Sequence, residues 1–142
     1  MASDTSHTLF KQSFPAEFAS LPRIKSDLLD VAQRAGWSGD NLGRLELVLE
    51  EGALNIINYA YPDGIGEIGI TVAAVGGGLL LRLEDSGIPF DPFSAPLPDL
   101  GAAAEDRPVG GLGVYLMKSI ADGMEYRREG EKNVLDITLK LK

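Results

Sequence analysis

Glu51 and Asn55 lie four residues apart in the apolar stretch Leu-Glu-Glu-Gly-Ala-Leu-Asn, and the pair has the residue types that phosphate chemistry requires. On a helix, residues four apart share one face, roughly 5–6 Å apart at Cβ. An asparagine oxygen is a suitable neutral ligand for Mg²⁺, which takes its other ligands from water and phosphates. A neighbouring glutamate is able to deprotonate a nucleophile in line with a γ-phosphate. The alternative is a solvated helix face that also includes Arg44, and the pair alone does not decide between the two.

Asp85-Ser86-Gly87 stands where a largely apolar, strand-like run ends in acidic residues. A partly buried carboxylate needs a hydrogen-bond donor, and the exocyclic amino group of adenine is a suitable one. Gly87 would allow a base to approach the backbone closely, because glycine has no side chain. An ordinary turn is the alternative, since Asp and Ser before Gly are typical turn residues.

The third group is the glycine turn Gly110-Gly111-Leu112-Gly113, which directly precedes a helical segment. Backbone amides at such a turn can point at phosphates, and the N-terminus of a helix favours anions. A hinge without a ligand is the alternative, and one segment can serve as both. Arg107, just before the turn, is a candidate phosphate clamp or a solvated residue. Together the three groups predict a small domain that binds ATP and Mg²⁺.

The elements that position these residues follow from hydrophobic periodicity and from turn signals. They predict, in chain order, a strand over 8–14, helices over 21–35 and about 42–59, strands over 67–75 and 79–85, a helix over 112–121, and strands over 124–128 and 133–141. Prolines punctuate the stretch from 88 to 109, which we interpret as an active-site lid. The order predicts a single domain over 1–142. We expect an α/β (α+β) two-layer sandwich with three helices on one face of a mixed, largely antiparallel sheet.

Composition restricts the class of protein further. At 142 residues and 44% hydrophobic, the chain is long enough for one domain with its own core. The absence of cysteine excludes disulfides and thiolate metal sites. No secretory signal and no apolar stretch long enough to cross a bilayer are visible, which fits a cytoplasmic protein. A net charge of -8 disfavours nucleic acid or an anionic membrane as the main partner.

The chain resembles the GHKL ATPases, which include gyrase, histidine kinases and mismatch-repair ATPases. Within them it looks most like the small anti-sigma-factor serine kinases of bacterial stress-response and sporulation switches. The resemblance rests on three segments, Glu51-Gly-Ala-Leu-Asn55-Ile-Ile-Asn-Tyr-Ala-Tyr61, Asp85-Ser-Gly87-Ile-Pro-Phe-Asp91-Pro92 and Gly110-Gly-Leu-Gly113-Val-Tyr-Leu. It implies that Asn55 holds Mg²⁺, Glu51 is the catalytic base, Asp85 binds adenine and the glycine turn contacts the phosphates of ATP. A threonine near the start of the last strand supports the adenine in that family, and here Asn133 or Thr138 would replace it.

The resemblance also implies a function. A kinase of this kind transfers the γ-phosphate of ATP to a serine of an anti-sigma antagonist and binds a sigma factor in its other state. A second hypothesis is a non-catalytic module that binds protein partners and uses ATP or ADP as a conformational effector. Glu51 favours catalysis. The sequence leaves open which partners bind, which nucleotide is preferred and whether the domain forms a homodimer.

Overall fold

A computed structural model describes residues 7–91 and 111–142 of the chain. Its strands and helices are β1 (His7–Pro15), α1 (Leu21–Arg34), α2 (Asp40–Asn55), β2 (Glu67–Val75), β3 (Gly78–Asp85), α3 (Gly111–Ile120), β4 (Gly123–Glu129) and β5 (Lys132–Lys140). A short 3-10 turn precedes α1, and a π-helical turn follows α2. These elements are the predicted ones, with ends that differ by a few residues.

The five described strands form one sheet in the order β1-β2-β3-β5-β4. Every neighbouring pair in it is antiparallel. The sequence predicted a mixed, largely antiparallel sheet, and the mixed part of that prediction is wrong. The connections explain this result. After β1, the chain passes through two helices, α1 and α2, and returns to the end of the sheet at which β1 finished. Strand β2 therefore starts there and runs antiparallel to β1. The single helix α3 makes β3 and β4 parallel, but β5 lies between them and pairs with both.

The core lies between the helices and one face of the sheet, which confirms the predicted two-layer sandwich. In β3 the burial alternates: Leu79, Leu81 and Leu83 are buried, whereas Leu80 and Arg82 between them are only partly covered. This alternation is what a strand shows when one face packs against helices. The helices contribute fully buried side chains to the same core: Ile24, Leu28, Leu45, Leu49 and Met117.

Gly52 sits where α2 crosses the sheet. A Cβ placed on Gly52 would collide with Leu83 Cδ1 and would also touch Met117 Sδ. The close packing of α2 against the sheet therefore requires glycine at this position. The close approach of α2 to β3 brings the C-terminal half of this helix next to the end of the strand that carries Asp85.

The predicted second helix changes character at its C-terminal end. Regular α-helix ends at Asn55, and the chain continues as a π-helical turn over Ile56–Ala60 before Tyr61 and Pro62. Such turns occur often at functional sites, because the extra residue in the turn redirects side chains. Here the π-helical turn supplies one wall of the cleft described below. Among the described helices, none is long and apolar enough to cross a membrane.

Candidate active site

A cleft lies between the end of α2 with its π-helical turn and the ends of β3, β4 and β5. Its lining is Gly52, Asn55, Ile56, Tyr59, Ala60, Leu83, Asp85, Phe90, Tyr126, Asn133 and Leu135. Most of this lining is apolar or aromatic, and a few polar groups converge within it. This composition is typical of a small-molecule site.

Asp85 is the buried carboxylate of the cleft, with only 7% of its surface exposed. Its Oδ1 accepts hydrogen bonds from the Gly87 amide at 2.9 Å and from Asn133 Nδ2 at 2.8 Å. Within the described part of the chain its Oδ2 accepts none, so Oδ2 is the oxygen left for a ligand. Burial raises the pKa of Asp85 and outweighs the lowering by Asn133, by the Gly87 amide and by the charge of Arg128. A donor from a ligand would stabilise this carboxylate.

The turn after Asp85 is fixed to the π-helical turn. A Cβ on Gly87 would collide with the carbonyl group of Ala60, and the Ile88 amide donates to that same carbonyl oxygen at 2.9 Å. Glycine at position 87 is thus required by the approach of the Ala60 main chain. The approach of a base to Gly87 stays a prediction.

Tyr61 connects this turn to the start of β2. Its hydroxyl accepts a hydrogen bond from the Ser86 amide at 2.8 Å and donates to the Glu67 carbonyl oxygen at 2.6 Å. A Cβ on Gly66 would overlap the Tyr61 ring, so a glycine there makes room for the tyrosine. The loop that carries Asp85 is therefore held from two sides, by Ala60 and by Tyr61.

Glu51 lies one helical turn before Asn55 and is half-buried. A Cβ placed on Gly113, in the first turn of α3, would be 2.5 Å from Glu51 Oε1. The carboxylate therefore occupies the space that any other residue at position 113 would fill. Burial raises the pKa of Glu51, and the neighbouring charge of Glu50 raises it further. A glutamate with a raised pKa is better matched to accepting a proton near neutral pH.

Asn55 is the last residue of α2, and its half-buried side chain lines the cleft together with Asp85. Its amide oxygen has the chemistry of a neutral Mg²⁺ ligand. The residues present thus fit a nucleotide with its bound cation.

The structure brings five of the residues singled out from the sequence to one end of the sheet: Glu51, Asn55, Asp85, Gly87 and Gly113. Gly111 begins α3 and Leu112 follows it, which agrees with a glycine turn at a helix N-terminus. Arg107 and Gly110 lie outside the described residues. The predicted lid over 88–109 falls mostly outside them too, and its described beginning, 88–91, is tied to the cleft.

Most of the cleft wall has no local signal in the sequence. No motif singles out Tyr126, and none indicates that Tyr59 and Phe90 form a pair, although their rings lie 6.4 Å apart at the cleft. Of the two candidates on the last strand, Asn133 pairs directly with Asp85 in the β3–β5 ladder, whereas Thr138 pairs with Leu80, five positions away on each strand. The missing signal was the pairing of β3 with β5, which joins residues far apart in sequence.

A two-layer sandwich with this cleft is the architecture of a histidine kinase-like ATPase domain. The family model for the histidine kinase-like ATPase domain matches residues 14–139, and the chain belongs to that family. Among curated relatives it is similar to the serine-protein kinase RsbW of Bacillus thuringiensis (strain Al Hakam), with 25% identity over 134 residues, covering 88% of this chain and 81% of the relative. Serine-protein kinase RsbW of Bacillus anthracis matches to the same extent, with 25% identity over 134 residues.

Among solved structures, the crystal structure of the RsbU and RsbW domains of Rv1364c from Mycobacterium tuberculosis superposes with a TM-score of 0.65. The sequence identity is 12%, and the match covers 93% of this chain but 32% of the solved chain. The chain thus spans about a third of the length of that solved chain. At this identity the likeness shows the fold, and it confirms the predicted GHKL-type architecture.

Proposed function

We propose that this protein is an ATP-binding anti-sigma regulatory factor with protein serine/threonine kinase activity. It transfers the γ-phosphate of ATP to a serine of an anti-sigma antagonist, and in its other state it binds a sigma factor. Membership of the histidine kinase-like ATPase family and the similarity to proteins named serine-protein kinase RsbW support the proposal.

One observation carries the proposal. A single cleft holds both Asn55 and Asp85, and Glu51 lies one helical turn before Asn55, against Gly113 at the N-terminus of α3. Groups suited to binding a base, to binding a cation and to accepting a proton lie in sequence along one end of the sheet, and this arrangement supports the proposal. A plain turn at Asp85 and a solvated face on α2 do not require this arrangement.

Each residue then has a distinct role. Asp85 accepts a hydrogen bond from the adenine amino group, and Gly87 lies beside the base. Asn55 holds Mg²⁺, which, when bound, neutralises charge on the phosphates. The backbone of the glycine turn (Gly110, Gly111, Leu112 and Gly113) contacts the phosphates, and Arg107 clamps them.

The transfer itself needs one proton acceptor. The serine hydroxyl oxygen of the antagonist bonds to the γ-phosphorus while the bond from that phosphorus to the β,γ-bridging oxygen breaks and ADP leaves. Glu51 takes the serine proton. The raised pKa of Glu51 suits a group that accepts a proton. Its position against Gly113 keeps it near the glycine turn that contacts the phosphates.

Two substitutions one helical turn apart test the proposal. Glu51→Gln keeps the side-chain shape and removes the basicity, so we expect loss of phosphoryl transfer with ATP binding nearly intact. Asn55→Ala removes the metal ligand, so we expect loss of both transfer and Mg²⁺-dependent affinity. The assay follows radiolabel from the γ-phosphate to a purified antagonist domain, with nucleotide binding measured in parallel.

The outcomes separate the candidate functions. Transfer by Glu51→Gln at the parental rate would show that Glu51 is not the base. A parent protein that binds ATP, shows nucleotide-dependent binding of a protein partner and never phosphorylates it would instead establish the non-catalytic module.

A further inference from the structure

The cleft that contains Asp85 has the lining of a small-molecule site but too little room for a base. Its open space is about 40 Å³, which is enough for about three water molecules. Sites that hold small molecules usually have volumes of roughly 300–1,000 Å³. A purine base is much larger than three waters, so one of the lining groups has to move before a base can enter.

Phe90 is the lining residue with the weakest attachment. The other lining residues belong to α2, to the π-helical turn or to the sheet, whereas Phe90 lies in the irregular chain after β3. Its ring is partly buried and lies 6.4 Å from the ring of Tyr59. Its amide donates to Asn133 Oδ1 at 3.3 Å, which is longer than a typical hydrogen bond of this kind.

The chain is held much more firmly two residues earlier, at Ile88. The Ile88 amide donates to the Ala60 carbonyl oxygen at 2.9 Å, and the Ile88 carbonyl oxygen accepts from Asn133 Nδ2 at 2.8 Å. Pro89 follows, and its ring restricts the backbone on both sides of this position. A movement of Phe90 therefore begins after Ile88 and leaves the turn at Asp85 in place.

The departure of Phe90 from the cleft leaves no buried polar group without a partner. Asn133 Oδ1 also accepts from the Tyr126 hydroxyl at 2.6 Å, so it keeps a donor when the Phe90 amide leaves. The Phe90 amide exchanges one long hydrogen bond for water. The main loss is the contact of the Phe90 ring with Tyr59 and the cleft wall, and a flat base that enters the same space replaces that apolar contact.

We propose that the Phe90 ring occupies the base end of the cleft and competes with the nucleotide, which binds only when this ring has moved out. The inference rests on the proposed nucleotide site and adds an autoinhibitory contact to it. The apparent affinity is then the intrinsic affinity multiplied by the fraction of molecules in which the ring is out. Because the ring moves before the nucleotide binds, Phe90 slows association and leaves dissociation unchanged.

The test measures the association and dissociation rate constants of an ADP analogue with a fluorescent group on its ribose, by stopped flow. Phe90→Ala removes the ring, and Phe90→Leu replaces it by a smaller apolar side chain. Phe18→Ala is the matched control, because Phe18 is 61% exposed and does not line the cleft. Melting without nucleotide establishes that each variant is folded, and the readout needs no catalytic activity.

We expect Phe90→Ala to bind the analogue about tenfold more tightly, the scale of one aromatic pair and one weak hydrogen bond that no longer oppose binding. The whole gain should lie in the association rate constant. Phe90→Leu should gain about threefold, because leucine still fills part of the space. Phe18→Ala should keep both parental rate constants.

The opposite division of the rate constants would overturn the inference. If Phe90 contacts the bound base, Phe90→Ala associates at the parental rate, dissociates faster and binds more weakly, while the nucleotide site itself stands. Unchanged rate constants in Phe90→Ala overturn the inference equally. If Phe90→Ala does not fold, Phe90→Leu decides by the same two rate constants. Binding by neither the folded parent nor a folded Phe90 variant would overturn the proposed function.

Discussion

Asp85→Asn is the substitution whose effect the structure predicts most directly. The amide is isosteric with the carboxylate, but one of its two polar atoms is now a donor. If its oxygen stays at the place of Oδ1, it keeps the hydrogen bonds from Gly87 and Asn133, and its NH₂ group faces the cleft. If the amide is reversed, its NH₂ group meets those two donors instead. The first orientation is favoured, and it places a donor against the adenine amino group.

The magnitude follows from this geometry. A charge-assisted hydrogen bond is lost and two donors face each other, so we expect ADP to bind about 1–3 kcal/mol more weakly, or roughly 5- to 150-fold in Kd. Inosine diphosphate should lose less affinity or gain some, since its oxo group accepts from the new NH₂ group. Calorimetry with both nucleotides measures the two effects in one series.

Stability provides the control. The folded-state pKa of Asp85 is raised, so between the ordinary carboxyl range and the raised value the folded state holds more protons than the unfolded chain. The stability of the parent therefore falls as the pH rises through that window. Asparagine does not titrate, so the variant does not lose stability in this way. Asp85→Asn without nucleotide should melt no lower than the parent near neutral pH. Parental affinity for ADP in a folded variant would refute the role of Asp85 and return it to a plain turn.

Three further predictions concern nucleotide binding and Glu51. Mg-ATP or Mg-ADP should raise the melting temperature, because a ligand at a hundred times its Kd adds about 2.7 kcal/mol to the stability of the native state. If millimolar nucleotide gives no shift while a control GHKL domain responds, the nucleotide site is refuted. Gly113→Ala should displace Glu51 and lower phosphoryl transfer about 10- to 100-fold with a small effect on nucleotide affinity. Gly43→Ala is its matched control, since a Cβ there meets nothing within 4 Å; equal transfer by both variants would contradict the assigned position of Glu51. In the parent, the raised pKa of Glu51 should place the acidic limb of the transfer profile above the pH range of an ordinary glutamate.

The elements of this fold were predictable because their signals are local. A strand such as β3 alternates every second residue, and α1 repeats its apolar residues at helical spacing, so each pattern is complete within one segment. The glycines at the hairpin turns are equally local, and Gly77 and Gly130 do adopt the positive φ values of 75° and 61° that favour glycine. The antiparallel order of the whole sheet depended on how the connections return the chain, which no single segment shows.

The polar centre of the site was less predictable, because its residues come from segments far apart in the sequence. Asp85 was singled out because it ends an apolar run, and Glu51 and Asn55 because they are four residues apart. The partner of Asp85 could not be found in this way, since Asn133 lies 48 residues further along the chain. The need for glycine at position 87 could not be explained from the local turn alone. It comes from the close approach of the Ala60 carbonyl group.

Asp136 shows why the environment of Asp85 points to a ligand rather than to a structural ion pair. Asp136 lies on β5 like Asn133, and it receives hydrogen bonds from Arg82 at 2.7 Å and 3.0 Å and from Arg127 at 3.0 Å. Burial raises the pKa of Asp136, but the two guanidinium groups outweigh it and lower the pKa overall. Its contribution to stability is present above the ordinary carboxyl range and is lost as the pH falls through the lowered value.

The pKa of Asp85 moves in the opposite direction, because burial raises it more than the hydrogen bonds from Asn133 and the Gly87 amide and the charge of Arg128 lower it. Arg128 donates to the Gly87 carbonyl oxygen and not to the carboxylate. The same sheet thus has one carboxylate whose charge is matched by arginines and one whose charge is kept buried without a bound cation. A buried carboxylate of the second kind lowers the stability of the free protein, and an adenine amino group would recover part of that free energy on binding.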